Sequence, residues 1–335
     1  MPDLSEGEKQ ILILLRRLEL YPPDPQTGET MIATQEALQE SGKQFFEKNL
    51  EDWTDLFNKL LAQGYISHKK AVYALTERGR PRASQLQWGH YIARAARSKA
   101  YSLFCERVYG TNLCQVNAGV EMAQLEQLLE ILNLSAESQV IDLGCGIGTI
   151  TEYVSDKTDA DILGIDIVPE LIEIAQERTR KKKDRLEFQE GDINHLILPS
   201  GSADTIFSID TLPFADDIYQ TIRQMKKVLR PCGQMGLFHF QIATPKDPPD
   251  ALQPEKTKLA QALKKQDLTF QVWDYTESSE DLWRQRQQVV TDLKEEFQAE
   301  GNLDIYKGRI KECDTWLKLL KAGRVGRYLY HANLP

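Results

Sequence analysis

The sequence predicts an α/β protein in which a mainly parallel sheet, covered by helices on both faces, follows a small and mainly helical front domain. Three observations predict it. From residue 139 onward, short apolar runs alternate with helical patterns, the rhythm of strand–helix–strand units. A glycine-rich turn stands directly after the first of those runs. Residues 1–90 lack this rhythm and show helical spacing followed by two short β-prone runs.

Length and composition bound the answer first. A chain of 335 residues has room for two domains at roughly 100–200 residues each. The expected divisions are a front domain over 1–90, a helical connector over 91–134 and the α/β domain over 135–335. A composition of 41% hydrophobic and 27% charged residues suits a globular protein with a core. The longest apolar runs, such as residues 11–15, are too short for a bilayer. Met1-Pro2-Asp3 opens no secretion signal. The five cysteines (Cys105, Cys114, Cys145, Cys232, Cys313) are scattered, with no CxxC pair. Reduced thiols in a cytoplasmic protein are expected, with neither a disulfide framework nor a metal site. A net charge of −9 argues against a general nucleic-acid binder.

The front domain reads as three helices and a hairpin. In residues 4–20, Ile11, Leu14, Leu15 and Leu18 line one helical face. Residues 21–25, with three prolines, end that helix. A short helix is expected over 34–39 and a longer one over 45–61, where Leu50, Trp53, Leu56, Phe57 and Leu60 fall near helical spacing. Two β-prone runs in residues 64–76 then flank the basic pair Lys69-Lys70, a hairpin pattern. This arrangement resembles a winged-helix domain over about 80 residues. The helix that would enter a DNA groove, 45–61, carries Glu47, Glu51, Asp52 and Asp55 against Lys48 and Lys59. DNA affinity draws on Lys and Arg at phosphates, so an acidic helix there favours a dimerisation or acceptor-pocket role. Only the wing, with Lys69 and Lys70, and the segment that carries Arg78, Arg80 and Arg82 are basic.

The sheet elements follow in order. Strands are expected at 140–143, 161–167, 185–189, 203–209 and 234–240, with helices at 149–156, 169–181 and 217–229 between them. Two further strands are expected at 268–275 and 327–332, separated by a charged helical excursion over 279–323. That excursion reads either as a lid or as a solvated helical pair. Residues 91–134 are mostly helical.

Chemistry concentrates where the first four strands end. Asp142-Leu143-Gly144-Cys145-Gly146-Ile147-Gly148 is a strand end followed by a turn whose glycines admit a ligand close to the backbone. The next helix's free amides favour an anion. A dinucleotide turn requires G-x-G-x-x-G, and the third glycine position here is Thr149. Asp166, closing the second strand, is placed to accept both ribose hydroxyls of a nucleoside. Glu190-Gly191-Asp192-Ile193 follows the third strand, and Asp210-Thr211-Leu212-Pro213-Phe214 the fourth.

Together these residues resemble the class I methyltransferases that use S-adenosylmethionine (SAM). The turn matches D-x-G-x-G-x-G, and Leu229-Arg230-Pro231-Cys232-Gly233 resembles the family's LRPGG turn, with Cys232 replacing its first glycine. The resemblance implies a Rossmann-like, seven-stranded methyltransferase sheet. It implies that Asp142, Gly144, Cys145, Gly146, Asp166, Ile167, Asp192, Ile193 and Asp210 bind the cofactor, with Asp192 on the adenine amino group and Ile193 on its ring. An Asn/Asp-Pro-Pro-Tyr/Phe box is absent after the fourth strand, and the only Pro-Cys, Pro231-Cys232, stands before the fifth. What remains resembles small-molecule enzymes of the ubiquinone and sarcosine type.

In those relatives a helical segment before the first strand covers SAM. Here it holds Tyr101, Phe104, Tyr109, Gln115 and Met122. Two readings stand for these residues: shielding of the sulfonium by cation–π contact, or helix packing. His239, at the end of the fifth strand, is either a general base titrating near neutral pH or a structural residue. His239 and Tyr101 are the catalytic candidates, and Tyr109, Phe214, Trp273 and Tyr275 the acceptor-pocket candidates. Because the sulfonium activates the methyl group, catalysis needs mostly positioning. Three functions remain: methylation of a small molecule at nitrogen, carbon or oxygen; a DNA-binding regulator that senses SAM; and methylation of RNA or protein. The first is favoured by the acidic charge and the missing box, with a homodimer as the expected assembly.

Overall fold

In the computed structural model the described residues are 4–20, 31–46, 53–111, 113 and 119–335, without the side chains of Gln44, Phe45 and His90. They fall into two compact units, Met1–His90 with Thr244–Lys246, and Tyr91–Ala243 with Asp247–Pro335.

The first unit holds α1 (Glu6–Leu20), α2 (Gln35–Phe45), α3 (Thr54–Ala62), β1 (Ile66–Lys69), β2 (Val72–Leu75) and the start of α4 (Gly79–Arg97). Ser5 and Glu8 form a reciprocal capping box on α1: the Ser5 amide donates to Glu8 Oε2 at 2.7 Å and the Glu8 amide to Ser5 Oγ at 3.3 Å. The expected continuous helix over 45–61 is not formed. Phe46 is extended (φ −110°, ψ 135°) and ends α2, and α3 starts only at Thr54. Glu47, Lys48, Leu50, Glu51 and Asp52 lie outside the described residues. The hairpin pairs Ile66 with Leu75 and Lys69 with Val72. Its turn is Lys70-Ala71, both at positive φ (50° and 61°), the signature of a type I′ turn. Ile11, Leu12, Leu15, Leu38, Phe57 and Leu60 form the unit's core.

The second unit opens with α5 (Lys99–Tyr109) and α6 (Met122–Leu132). Then follow β3 (Gln139–Leu143), α7 (Thr149–Thr158), β4 (Asp161–Asp166), α8 (Pro169–Arg178), β5 (Leu186–Glu190), β6 (Ala203–Ile209), α9 (Ile218–Val228) and β7 (Leu229–Ile242). The chain ends through α10 (Lys258–Lys265), β8 (Thr269–Asp274), α11 (Thr276–Asp292), α12 (Lys294–Ala299), α13 (Leu303–Lys321) and β9 (Val325–Asn333). The seven strands run in the order β5-β4-β3-β6-β7-β9-β8. Strands β3 to β7 pair in parallel, and β9 is antiparallel to both neighbours. The expected α/β sheet and its seven strands are present.

Alternation along each strand builds two cores. Val140, Phe207, Phe238 and Leu329 face one side with α5 and α6. Their neighbours Ile141, Ile206, Leu237 and Tyr330 face the other, against Ile222 and Met225 of α9 and Leu259 and Leu263 of α10. Both faces are covered, as parallel strands require. Two details differ from expectation. The Pro231–Gly233 turn lies within β7, where Leu229 already pairs with Ala203 and the register shifts before Thr205 meets Gln234. Helix α10 was not foreseen.

Strand order reverses between β3 and β6. In such sheets ligands bind outside the carboxyl ends of the strands at that reversal. Glu300, following α12, accepts from Ser98 Oγ at 2.6 Å and the Ala100 amide at 3.0 Å, so a carboxylate from the excursion caps α5. Arg94 of α4 grips Asp304 of α13 through two bonds of 2.6 and 2.8 Å.

Gly148 caps α7 at φ 72°, and a Cβ there would stand 2.6 Å from the Phe188 ring. Gly148→Ala is expected to cost about 1–3 kcal/mol in urea unfolding, part from the backbone and part from the clash. Adding Phe188→Leu is expected to restore only the steric share; full restoration would show that the backbone conformation costs nothing.

Candidate functional site

The site is assembled at the carboxyl edge of the sheet. Gly144 leaves β3 at φ 83°, and a Cβ on it would lie 2.0 Å from Thr211 Oγ1. At Gly146 (φ 55°) a Cβ would meet nothing within 4 Å, so the turn presents bare backbone to open space. The Gly144 and Cys145 amides both donate to the Ile165 carbonyl, at 2.7 and 3.1 Å. Cys145 is buried, and burial with the Asp166 and Asp142 carboxylates pushes its thiol well above the ordinary range. It is held as an apolar neighbour and not as a thiolate.

Four aspartates mark successive strand ends, in spatial order Asp192, Asp166, Asp142, Asp210. Asp142 is 4% exposed and accepts from Thr151 Oγ1 at 2.6 Å. Burial lifts its pKa to about 7; the Thr151 bond opposes the rise and Asp166 adds to it. Asp166 Oδ2 accepts the Gly146 amide at 2.9 Å and Oδ1 the Val168 amide at 3.0 Å. Burial raises its pKa against those bonds and one from the Ile167 amide. Asp192 uses Oδ1 for both nitrogens of Asn194, at 2.8 and 2.9 Å. Its Oδ2 has His195 Nδ1 at 3.9 Å. Ile167 and Ile193 follow two of these carboxylates and are half-buried.

Asp210 differs from the others. It is 8% exposed, sits at φ 56°, and its Oδ1 pairs with Arg327 Nη1 at 2.7 Å. Its Oδ2 accepts the Gly119 amide at 2.9 Å. Arg327 comes from β9, beside Phe240 of β7, with its guanidinium 5.6 Å from the Phe238 ring centre. The remaining edge of that guanidinium, Nε and Nη2, is buried without a partner.

His239 lies next to this pair, 5% exposed, with Nδ1 unpartnered. The near-neutral titration expected of it is corrected here. Burial drives its pKa down to about 3; Asp210 pulls upward, and Lys258 and Arg327 push further down. Tyr101 is also buried, its ring 5.5 Å from Phe104. Burial raises the phenol to about 12, with Arg309 opposing, so it stays protonated at neutral pH. Tyr109 ends α5 within the same core. Gln115 and Cys114 lie outside the described residues.

The acceptor candidates are not gathered at one point. Phe214 meets Phe240 edge-on at 5.7 Å, beside the end of β6. Trp273 stands on β8, the outermost strand. Tyr275 stacks on Phe238 at 6.1 Å, and its hydroxyl bonds Gln127 Oε1.

Comparison with known proteins now identifies the segment that carries the turn and the four aspartates. Residues 141–237 match the methyltransferase-domain family. The matched segment covers Asp142 to Asp210 and the opening of β7. The chain is 35% identical over 119 residues to Methyltransferase GfsG of Streptomyces halstedii, covering 35% of this chain and 43% of that protein. It is 31% identical over 143 residues to Phosphoethanolamine N-methyltransferase 3 of Arabidopsis thaliana, covering 43% and 28%. The chain thus spans less than half the length of these relatives. Among solved structures, the Haemonchus contortus phosphoethanolamine N-methyltransferase 2, in complex with phosphomonomethylethanolamine and S-adenosylhomocysteine, superposes with a TM-score of 0.60. That match is at 16% identity and covers 73% of this chain and 59% of that one; it shows a shared fold.

Several residues around the matched segment carry no motif in the sequence. Gly119, Arg327 and Phe240 surround Asp210 and Phe214 but fall outside the domain motifs. Arg327 carried a signal, being the one charge within Val325–Asn333, an otherwise buried strand.

Because His239 stays neutral in the fold and protonates near 6.5 when unfolded, the native state binds fewer protons between those values. Its contribution to stability is therefore fully present above about 6.5 and is lost as pH falls toward about 3. The urea midpoint of the wild type is expected to fall across that window more steeply than that of His239→Gln. Superimposable pH profiles would show that His239 is not desolvated.

Proposed function

We propose that the protein is an enzyme that transfers a methyl group from SAM to nitrogen, carbon or oxygen of a small-molecule acceptor. The observation that carries this reading is the glycine turn locked to Asp166 at the strand-order reversal, within the segment that matches the methyltransferase domain. The open space at Gly146 fits a ligand against the backbone. Asp166 spends one oxygen on each of two amides and keeps further lone pairs for two ribose hydroxyls. Asp192 Oδ2 is the acceptor for the adenine amino group, with Ile167 and Ile193 on the ring faces. Gly144, Cys145 and Gly146 pass beside the amino-acid part, and Asp142 holds the turn from below through Thr151. When bound, SAM supplies a methyl group already activated on a sulfonium.

The protein's own part is positioning. Asp210, fixed by Arg327 and Gly119, faces the reacting end of the site. His239 is uncharged at neutral pH and contributes shape and a lone pair. Tyr101 and Tyr109 form an aromatic cover, and Phe214, Trp273 and Tyr275 border the acceptor. We assign residues 91–134 as the connector that covers the cofactor and 279–323 as a lid inserted into a 135–335 catalytic domain. The helices and hairpin of residues 1–90 support a winged-helix-like reading, with dimerisation or acceptor recognition as its role. Four free cysteines among the described residues support a cytoplasmic location. Among the described residues no helix is long and apolar enough to cross a membrane.

Asp166→Ala is expected to weaken SAM binding about 10–100-fold in calorimetry, the share of hydrogen bonds to a charged acceptor. Unchanged affinity in a folded variant would remove this cofactor placement. Methyl-labelled SAM, incubated with the protein and a host lysate, is expected to place label in the small-molecule fraction; label only in RNA or protein would overturn the acceptor class.

A further inference from the structure

Two arginines are sealed inside the helical layer of the second unit. Arg286 of α11 is 2% exposed and Arg309 of α13 is 6% exposed. They share one carboxylate: Glu312 Oε2 stands 2.6 Å from Arg309 Nη1 and 3.8 Å from Arg286 Nη2. Two permanent positive charges therefore face one negative charge. The Nε of each arginine, and the hydroxyl of Tyr91, are buried without a hydrogen-bond partner.

Ring contacts do not remove this deficit. Arg286 lies 4.0 Å from the centre of the Trp283 ring and Arg309 4.8 Å from that of Tyr91. Cation–π contact stabilises the face of a guanidinium and leaves its N–H edges unsatisfied. A buried charge short of a partner is destabilising, and native interiors satisfy nearly all buried polar groups. Unsatisfied N–H groups on two neighbouring buried guanidinium ions therefore call for an explanation, and a bound anion is one that answers both the charge and the hydrogen bonds. The missing partner is an acceptor of several hydrogen bonds that carries negative charge, which is an oxyanion.

The cluster is continuous with the site already described. Trp283 stacks on Trp316 at 4.8 Å, Trp316 meets Phe240 at 5.0 Å, and Phe240 meets Phe214 at 5.7 Å. An aromatic wall thus runs from the arginines to the carboxyl edge of β6.

Resting on the methyl-transfer reading above, we propose that Arg286, Arg309 and the Tyr91 hydroxyl bind an oxyanion of the methyl acceptor, a phosphate monoester or a carboxylate. The acceptor's methylated atom lies at its other end, beside Asp210, and its middle runs along the Trp283–Trp316–Phe240 wall. Since the binding atoms are enclosed, entry follows parting of α11 and α13.

The test uses the full chain titrated with sodium phosphate, sodium acetate and sodium chloride at matched ionic strength, read by tryptophan fluorescence and by melting temperature. Of the five tryptophans, the stacked pair Trp283 and Trp316 lies beside the arginines, and the response is expected to disappear in Trp283→Phe. A saturable change with phosphate or acetate that chloride does not reproduce is expected; phosphate alone indicates a phosphate monoester, acetate alone a carboxylate. Arg309→Gln is expected to abolish the change. Tyr91→Phe keeps the ring under Arg309 and removes an oxygen that has no partner, so it folds, and it is expected to weaken binding about tenfold. Equal responses to all three salts, or a response unaltered in Tyr91→Phe and Arg286→Gln, would overturn the proposal. SAM calorimetry on the same samples separates the two readings. SAM binding without an oxyanion response rejects this site and leaves methyl transfer standing, whereas an oxyanion response without SAM binding does the reverse.

Discussion

Asp166 accepts the amide of Gly146 and the amide of Val168, and so ties the end of β4 to the turn that leaves β3. The Ile165 carbonyl, one residue earlier, receives the Gly144 and Cys145 amides. The turn is thus held from its neighbour strand as well as by its own bond from the Gly148 amide to the Cys145 carbonyl. Parallel pairing between β3 and β4 delivers these atoms at the right height, with Leu143 opposite Ile165. Without that register the glycines would have backbone freedom and no reason to adopt one geometry. The rest of the site inherits its position from this clamp.

A second constraint works across the strand reversal. Asp210 would be a buried, uncompensated charge without Arg327, and Arg327 arrives from the last strand of the sheet. Breaking such a pair by removing one partner is costlier than never having built it. The pair therefore makes the carboxyl edge of β6 depend on β9, although the two strands are separated in the sheet by β7.

Much of this was legible in the sequence because parallel strands leave a plain trace. Apolar runs such as 140–143 and 203–209 admit few other placements, and Gly144, Gly146 and Gly148 mark a tight turn in which all three adopt positive φ. Legibility failed where burial of charge was at stake. Arg286 and Arg309 sit in a stretch whose composition reads as solvated helix, and spacing does not reveal which charged residue turns inward. For His239 the strand position was legible but the choice between general base and structural residue was not, because desolvation is a property of everything packed around it. The end of α2 at Phe46 is not legible because helical spacing in the sequence continues past it.

The excursion α11–α13 leaves from β8 and returns into β9, and Asp274 and Tyr328, near its two ends, are paired across those strands. An insertion whose ends already touch closes at the same entropic cost whatever it contains, and lengthening it adds little. Its helices can be rebuilt without moving a single strand of the cofactor edge. The fold thereby separates two rates of change: the turn and its aspartates are locked into parallel strands, while the excursion, joined at one strand pair, is free to vary in length and sequence wherever it keeps its apolar face on the sheet.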